Sequence, residues 1–159
     1  MIIVKDNSDS ERRRFKTLSA VIIFLAKGNE VLLQLRQNTG FSDGMWDFSA
    51  SGHVEDGETM KAAALRELQE ETGVTAKDAD FMGLVHHLGE KDGLPRYLGA
   101  FRVTKWSGEP HVCEPRKCSE LKWFDIDDLP ENIIESRRLV LENLRGPGLY
   151  LECGWEKNR

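Results

Sequence analysis

The stretch Gly52-His53-Val54-Glu55-Asp56-Gly57-Glu58, followed by Arg66-Glu67-Leu68-Gln69-Glu70-Glu71-Thr72-Gly73-Val74, decides how this chain folds. Thr59 to Thr72 is rich in Ala, Leu and Glu and lacks Pro and Gly. It stops at Gly73, a residue suited to a C-terminal cap, so the pattern predicts a helix. At about 100° per residue, Glu67, Glu70 and Glu71 share one helical face, with Leu65 and Leu68 beside them to bury against a sheet. Three like charges repel one another, and only Arg66 is near enough to relieve them. Glu71 also lies near the helix C-terminus, where the dipole disfavours anions. A solvated acidic face is one reading. A hard divalent cation removes both penalties, and Mg²⁺ prefers carboxylate oxygens, so the charge pattern favours a metal site.

Working outward, Thr17 to Ala26 and Val31 to Arg36 read as strands joined by a Lys27-Gly28-Asn29-Glu30 hairpin turn. Gln37 to Gly44 reads as a loop, and Met45 to Ala50 as a short strand running into Gly52. Phe81 to Leu88 and Tyr97 to Val103 are strands around the turn-rich Gly89 to Pro95, Ser107 to Ser119 is a polar loop, and Leu121 to Phe124 is another strand. A second helix is expected from about Ile133 to Arg145, ended by Gly146-Pro147-Gly148. The expected architecture is α/β, one mixed sheet packed by two helices. The expected domain is 17–145, with a polar lead-in over 1–16 and a tail over 146–159.

The chain has 159 residues, 40% of them hydrophobic, a formal net charge of -5 and three cysteines. The acidic balance argues against broad binding to DNA or RNA, which needs a basic footprint. It leaves room for small phosphorylated ligands, because bound cations invert the local sign. The longest apolar run, Leu18 to Ala26, is too short to span a bilayer. Although it follows Arg12-Arg13-Arg14, it is expected to be a core strand rather than a signal segment. Cys113, Cys118 and Cys153 cannot all pair with one another, and no second Cys/His pair completes a zinc site. They are expected to be free thiols in a reducing, cytoplasmic setting.

The positions Gly52-x5-Glu58-x7-Arg66-Glu67-Leu68-x-Glu70-Glu71-x-Gly73-Val74 fill every fixed place of the Nudix box, which the segment therefore resembles. The flanking order of elements also resembles the Nudix α/β/α sandwich, a mixed β-sheet with the Nudix loop–helix–loop and a C-terminal helix. The resemblance implies a pyrophosphohydrolase, an enzyme that cleaves a nucleoside diphosphate linked to another moiety with Mg²⁺, or Mn²⁺ in its place. It implies metal-binding roles for Glu67, Glu70 and Glu71, with the Ser51 carbonyl joining the shell. Arg66 and Glu58 match the pair that supports the loop–helix geometry, and Gly52, Gly57 and Gly73 match places where the backbone turns. A metal lowers the pKa of a bound water and a carboxylate accepts its proton. Glu67 or Glu71 is a candidate for that base, as is a later-loop glutamate, with Glu114 proposed for that role. Gly52 and His53 are candidate substrate contacts, although a lone loop histidine is more often simply solvated.

The segment His86-His87-Leu88-Gly89-Glu90 lacks the proline typical of ADP-ribose hydrolases, and Tyr97 lies too late for the dinucleoside-polyphosphate tyrosine. Elimination leaves the MutT-like group acting on nucleoside triphosphates, giving a monophosphate and pyrophosphate. The segment Glu114 to Trp123 resembles nucleotide triphosphate diphosphatases as well. The alternatives are a hydrolase of another diphosphate conjugate, such as a nucleotide sugar, or a non-catalytic nucleotide-binding module. The implied partner is a small-molecule nucleotide, without nucleic acid or membrane, and family likeness alone implies a homodimer. Relatives often carry Pro-Gly-Gly or Pro-Ala-Gly at the box entrance, where this chain reads Ser49-Ala50-Ser51-Gly52-His53, and the small polar serines are expected to alter ligand contacts. Phe41, Trp46 and Phe48 stand near the box entrance, and aromatics at such positions are more often core.

Overall fold

The computed structural model describes residues 15–89, 92–143 and 150–156. The apolar run becomes β1 (Leu18–Lys27), the central strand, which pairs with three others, at residues 30–36, 50–53 and 95–103. Its burial on both faces explains the continuous apolar reading. Ala20, Ile22 and Phe24 enter one core layer with Val140 and Leu141, while Val21, Ile23 and Leu25 enter the other with Ala63, Ala64 and Leu68. The expected hairpin forms, with Ala26 opposite Val31 and Lys27 opposite Glu30, and leads into β2 (Glu30–Arg36).

Past those two pairs β1 and β2 separate, and Ser49 fills the gap. Its hydroxyl accepts from the Leu25 N–H at 3.2 Å and donates to the Leu32 carbonyl at 2.6 Å. The strand expected from Met45 to Ala50 is therefore two. β3 (Trp46–Phe48) pairs with β2, and β4 (Ala50–His53) crosses to β1. Ser49 is fully buried, so the expectation that it reaches a ligand is corrected. It satisfies the backbone where β1 and β2 part within the sheet.

Helix α1 (Met60–Thr72) follows, with the Thr59 side chain accepting from the Ala62 N–H and Gly73 capping its end at φ 74°. β5 (Asp80–Leu88) and β6 (Pro95–Val103) form an antiparallel pair, and β6 runs parallel to β1. β7 (Cys118–Asp125) pairs with β2. The second helix is shorter than expected: α2 covers Glu135–Glu142. Residues just before it are held extended, because Trp46 exchanges hydrogen bonds with the Asn132 carbonyl and the Ile134 N–H. The expected end at Arg145 and the Gly146-Pro147-Gly148 stop lie outside the described residues.

The tail reading contained no strand, yet β8 (Tyr150–Cys153) lies parallel to β5. The result is an α/β/α sandwich: an eight-stranded mixed sheet whose two faces are covered by α1 and α2. Among the described residues no helix is long and apolar enough to cross a membrane.

Candidate functional site

The loop from β4 and helix α1 converge on Arg66. Its guanidinium donates to both Glu58 oxygens at 2.7 and 3.2 Å, to Glu67 at 2.8 Å and to the His53 carbonyl at 3.0 Å. Glu58 also accepts from the Glu55 N–H at 2.7 Å, closing the loop on itself. These bonds to Arg66, then the backbone bond to Glu55, hold the Glu58 carboxyl below its usual range. The expected Arg66–Glu58 support is therefore present as a fork clamp between loop and helix.

The glycines do different things. Gly57 and Gly73 have positive φ, 80° and 74°, and turn the chain as expected. Gly52 does not turn it. It sits within β4, and a Cβ there would lie 2.0 Å from the Glu67 carboxylate. Glycine at 52 is required for close approach, a correction to the expected turning role.

The helical face is less uniform than the wheel predicts. The Glu67 side chain is 13% exposed and Glu70 57%, with Glu70 reaching back only to Arg66 at 3.4 Å. Glu71 is different again. Its Oε2 accepts from Gln34 at 2.9 Å, and its Oε1 lies 3.5 Å from the Ser51 N–H. Burial pushes its carboxyl up to about 7, against the opposing pull of Gln34 and Ser51. Burial likewise raises Glu67, with Arg66 opposing.

A cleft of about 430 Å³ opens beside this helix, lined by Ser51, Gly52, His53, Glu71 and Glu114 among others. The structure thus brings these five expected residues to one cavity. Glu67 stands directly behind Gly52, and Glu70 turns away. Glu114 is ion-paired to Lys117 at 2.9 Å. His53 is exposed at the rim, in keeping with a solvated side chain.

Whether these residues suit a divalent ion depends on donor chemistry. Among the described residues no three His, Cys, Asp or Glu side chains are gathered to hold a metal as they stand. The expected convergence of Glu67, Glu70, Glu71 and Glu114 is corrected to that extent, because Glu70 follows Arg66 outward and Glu114 follows Lys117. Glu67 and Glu71 remain, both hard oxygen donors. Glu71 is the uncompensated one: a buried carboxyl held by amide donors alone. Mg²⁺ needs only one or two carboxylates when waters and ligand phosphates complete its shell, so the donor set fits.

Four site residues were invisible from the sequence. Gln34 and Arg36 occupy one face of β2, and Asp47 stands opposite Gln34 on β3. Asp47 is fully buried and bridges Arg36 at 2.8 Å and Arg137 of α2 at 2.6 Å. Burial pushes Asp47 upward, but the two guanidiniums outweigh it and the net direction is downward. The available signal was a polar pair at period two, Gln34 and Arg36, interrupting an otherwise apolar strand. Phe41 also lines the cleft, under the Arg36 guanidinium at 5.4 Å, while Trp46 and Phe48 are core as expected.

The loop–helix–loop of this sandwich sets carboxylates beside a cleft of about 430 Å³, a size that accepts a small ligand. The NUDIX domain model matches residues 16–144. The oxidized purine nucleoside triphosphate hydrolase of Danio rerio is 30% identical over 118 residues, 73% of this chain and 71% of the relative. The RNA pyrophosphohydrolase of Erythrobacter litoralis is 28% identical, over 84% of this chain and 90% of the relative. Among solved structures, the MutT NUDIX hydrolase of Burkholderia pseudomallei superimposes with a TM-score of 0.74 at 27% identity, covering 80% of this chain and 98% of that one. The chain belongs to the NUDIX family and is a Nudix hydrolase.

Proposed function

We propose that this enzyme hydrolyses the pyrophosphate linkage of a free nucleoside triphosphate, releasing a nucleoside monophosphate and pyrophosphate. The observation that carries the reading is Glu71, a buried carboxyl raised to about 7 on the wall of a nucleotide-sized cleft. Glu67, Glu71 and the Ser51 carbonyl would hold Mg²⁺, or Mn²⁺, with Glu70 and Glu114 at its edge. Once bound, the ion would neutralise phosphate charge and acidify a water.

The chain's own residues do the rest. Arg66 and Glu58 fix the loop so that Gly52 and His53 border the phosphates. Gln34 orients Glu71. Glu67 or Glu71 accepts the proton of the attacking water, with Glu114 as the candidate from the later loop. One P–O bond forms to the water oxygen, and the anhydride P–O bond breaks with its electron pair leaving on pyrophosphate. A free nucleotide is favoured over an RNA 5′ end because the net charge is -5, and RNA needs a basic track beyond the cleft. We place the enzyme in the cytoplasm, where free nucleotides are held.

The test is product analysis on a panel of nucleoside triphosphates, nucleotide sugars, ADP-ribose and 5′-triphosphate RNA, with and without Mg²⁺. Monophosphate plus pyrophosphate from triphosphates is expected. Preferential turnover of a diphosphate conjugate or of RNA would replace this reading. No turnover of any substrate would indicate a binding module. Glu67→Gln and Glu71→Gln should each lower turnover by orders of magnitude with the fold intact, and near-wild-type rates in both would remove the assignment.

A further inference from the structure

Beyond Gln34, which holds Glu71, the cleft lining also carries the opposite charge, at Arg36 and Arg137. Arg36 and Arg137 share the single carboxylate of Asp47, so the cluster holds one positive charge in excess. Both arginines are lining residues of the cleft. Their other bonds fix them as rigid forks. Arg36 donates through Nε to the Phe41 carbonyl at 2.9 Å and through Nη2 to Thr39 at 3.1 Å. Arg137 donates through Nη1 to Ser136 at 3.0 Å. A guanidinium has five N–H donors and no acceptor, so donors are left over for a ligand.

The spacing sets where that ligand lies. Gln34, which holds Glu71, and Arg36 are two residues apart on one face of β2, about 7 Å along the strand. A nucleotide with its phosphates at Glu71 and its ribose spanning that distance presents its base at Arg36. Ile22, Leu98 and Phe41 give the cavity apolar walls. Such walls suit a planar heterocycle and disfavour a hydrated second phosphate.

We infer that Arg36 and Arg137, braced by Asp47, form a donor-only seat for the keto edge of a nucleobase, so that the enzyme selects guanine- and uracil-type bases over adenine- and cytosine-type ones. This rests on the nucleotide reading above and extends it to the base. A keto oxygen accepts from the forks. The exocyclic amino group of adenine or cytosine sets donor against donor and leaves both unpaired. A two-donor contact of this kind discriminates on the order of 10- to 100-fold.

The experiment compares kcat/KM for GTP and UTP against ATP and CTP in the wild type, Arg36→Gln and Arg36→Lys, with melting curves to verify folding. In Arg36→Gln, Arg137 still neutralises Asp47. Arg36→Lys keeps the charge and removes the fork. A keto preference of tenfold or more in the wild type, falling toward one in both variants, is expected. Equal rates on all four bases in the wild type would overturn the seat. Loss by the same factor on all four in the variants would do so too, placing Arg36 on the phosphates. Calorimetric binding of GMP and UMP against AMP and CMP reads the seat without hydrolysis. If no triphosphate is cleaved, a keto preference abolished by Arg36→Gln still supports the seat while the hydrolytic reading fails, and no preference overturns it.

Discussion

Replacing Gly52 by alanine separates the site from the fold more cleanly than removing any carboxylate. The added Cβ would sit 2.0 Å from Cδ and Oε1 of Glu67, where ordinary contact is 3.4 to 4 Å. Gly52 cannot retreat, because β4 is paired to β1 with Gly52 opposite Val21. The Glu67 carboxylate must therefore give way by more than 1 Å and reorganise its 2.8 Å bond to Arg66. A misplacement of that size in a reacting constellation costs about 100-fold in rate. The soft partner is a side-chain tip, so the stability change should stay within about 1 kcal/mol. Pyrophosphate release under steady-state conditions with Mg²⁺, beside a thermal melt, reads both quantities. Adding Glu67→Gln to Gly52→Ala should lower kcat/KM by far less than Glu67→Gln does alone, because the carboxylate is already displaced. A kcat/KM within twofold of wild type in Gly52→Ala would refute the reasoning.

Glu71 gives a pH signature. Its folded pKa of about 7 lies above its ordinary 4.5, so the metal-free protein is stabilised below 4.5 and loses that contribution as pH rises through 7, by about 3 kcal/mol. Melts in EDTA should show the decline and saturating Mg²⁺ should suppress it; a flat profile in EDTA counts against a buried, uncompensated Glu71. Ser49→Ala should destabilise by about 1–3 kcal/mol, because the Leu25 N–H and Leu32 carbonyl lose their buried partner. Urea denaturation reads it, and no change would refute the bridging role. Asp47→Asn should destabilise by about 3–5 kcal/mol, because it leaves the buried Arg137 and the part-buried Arg36 without their carboxylate. Denaturation midpoints check this, and a neutral result would show that solvent reaches the cluster.

What could be read from the chain was local. Helix α1 declared itself through composition and the Gly73 stop, and the structure supplies the cap at Thr59 that the pattern leaves unspecified. The β1–β2 hairpin followed from its turn residues. What could not be read depended on long-range pairing. Met45 to Ala50 reads as one strand because nothing local shows that its halves join different partners. Tyr150–Cys153 is too short to signal a strand until β5 is there to receive it. The wheel grouped Glu67, Glu70 and Glu71 because it knows angles and not neighbours. Arg66 draws Glu70 outward, while Gln34, on another strand, holds Glu71 in. Asp47 and Arg137 are ordinary charges in the sequence, and their pairing exists only once α2 lies across β3.

The central proposal is that Glu67 and Glu71 form a metal-dependent centre that cleaves a nucleoside triphosphate to its monophosphate and pyrophosphate. Its most direct test is ³¹P NMR of a nucleoside triphosphate incubated with the enzyme and Mg²⁺. Stoichiometric monophosphate and pyrophosphate, abolished by EDTA and by Glu71→Gln, is the predicted result. Release of inorganic phosphate with a diphosphate product, or turnover that survives EDTA, would contradict it.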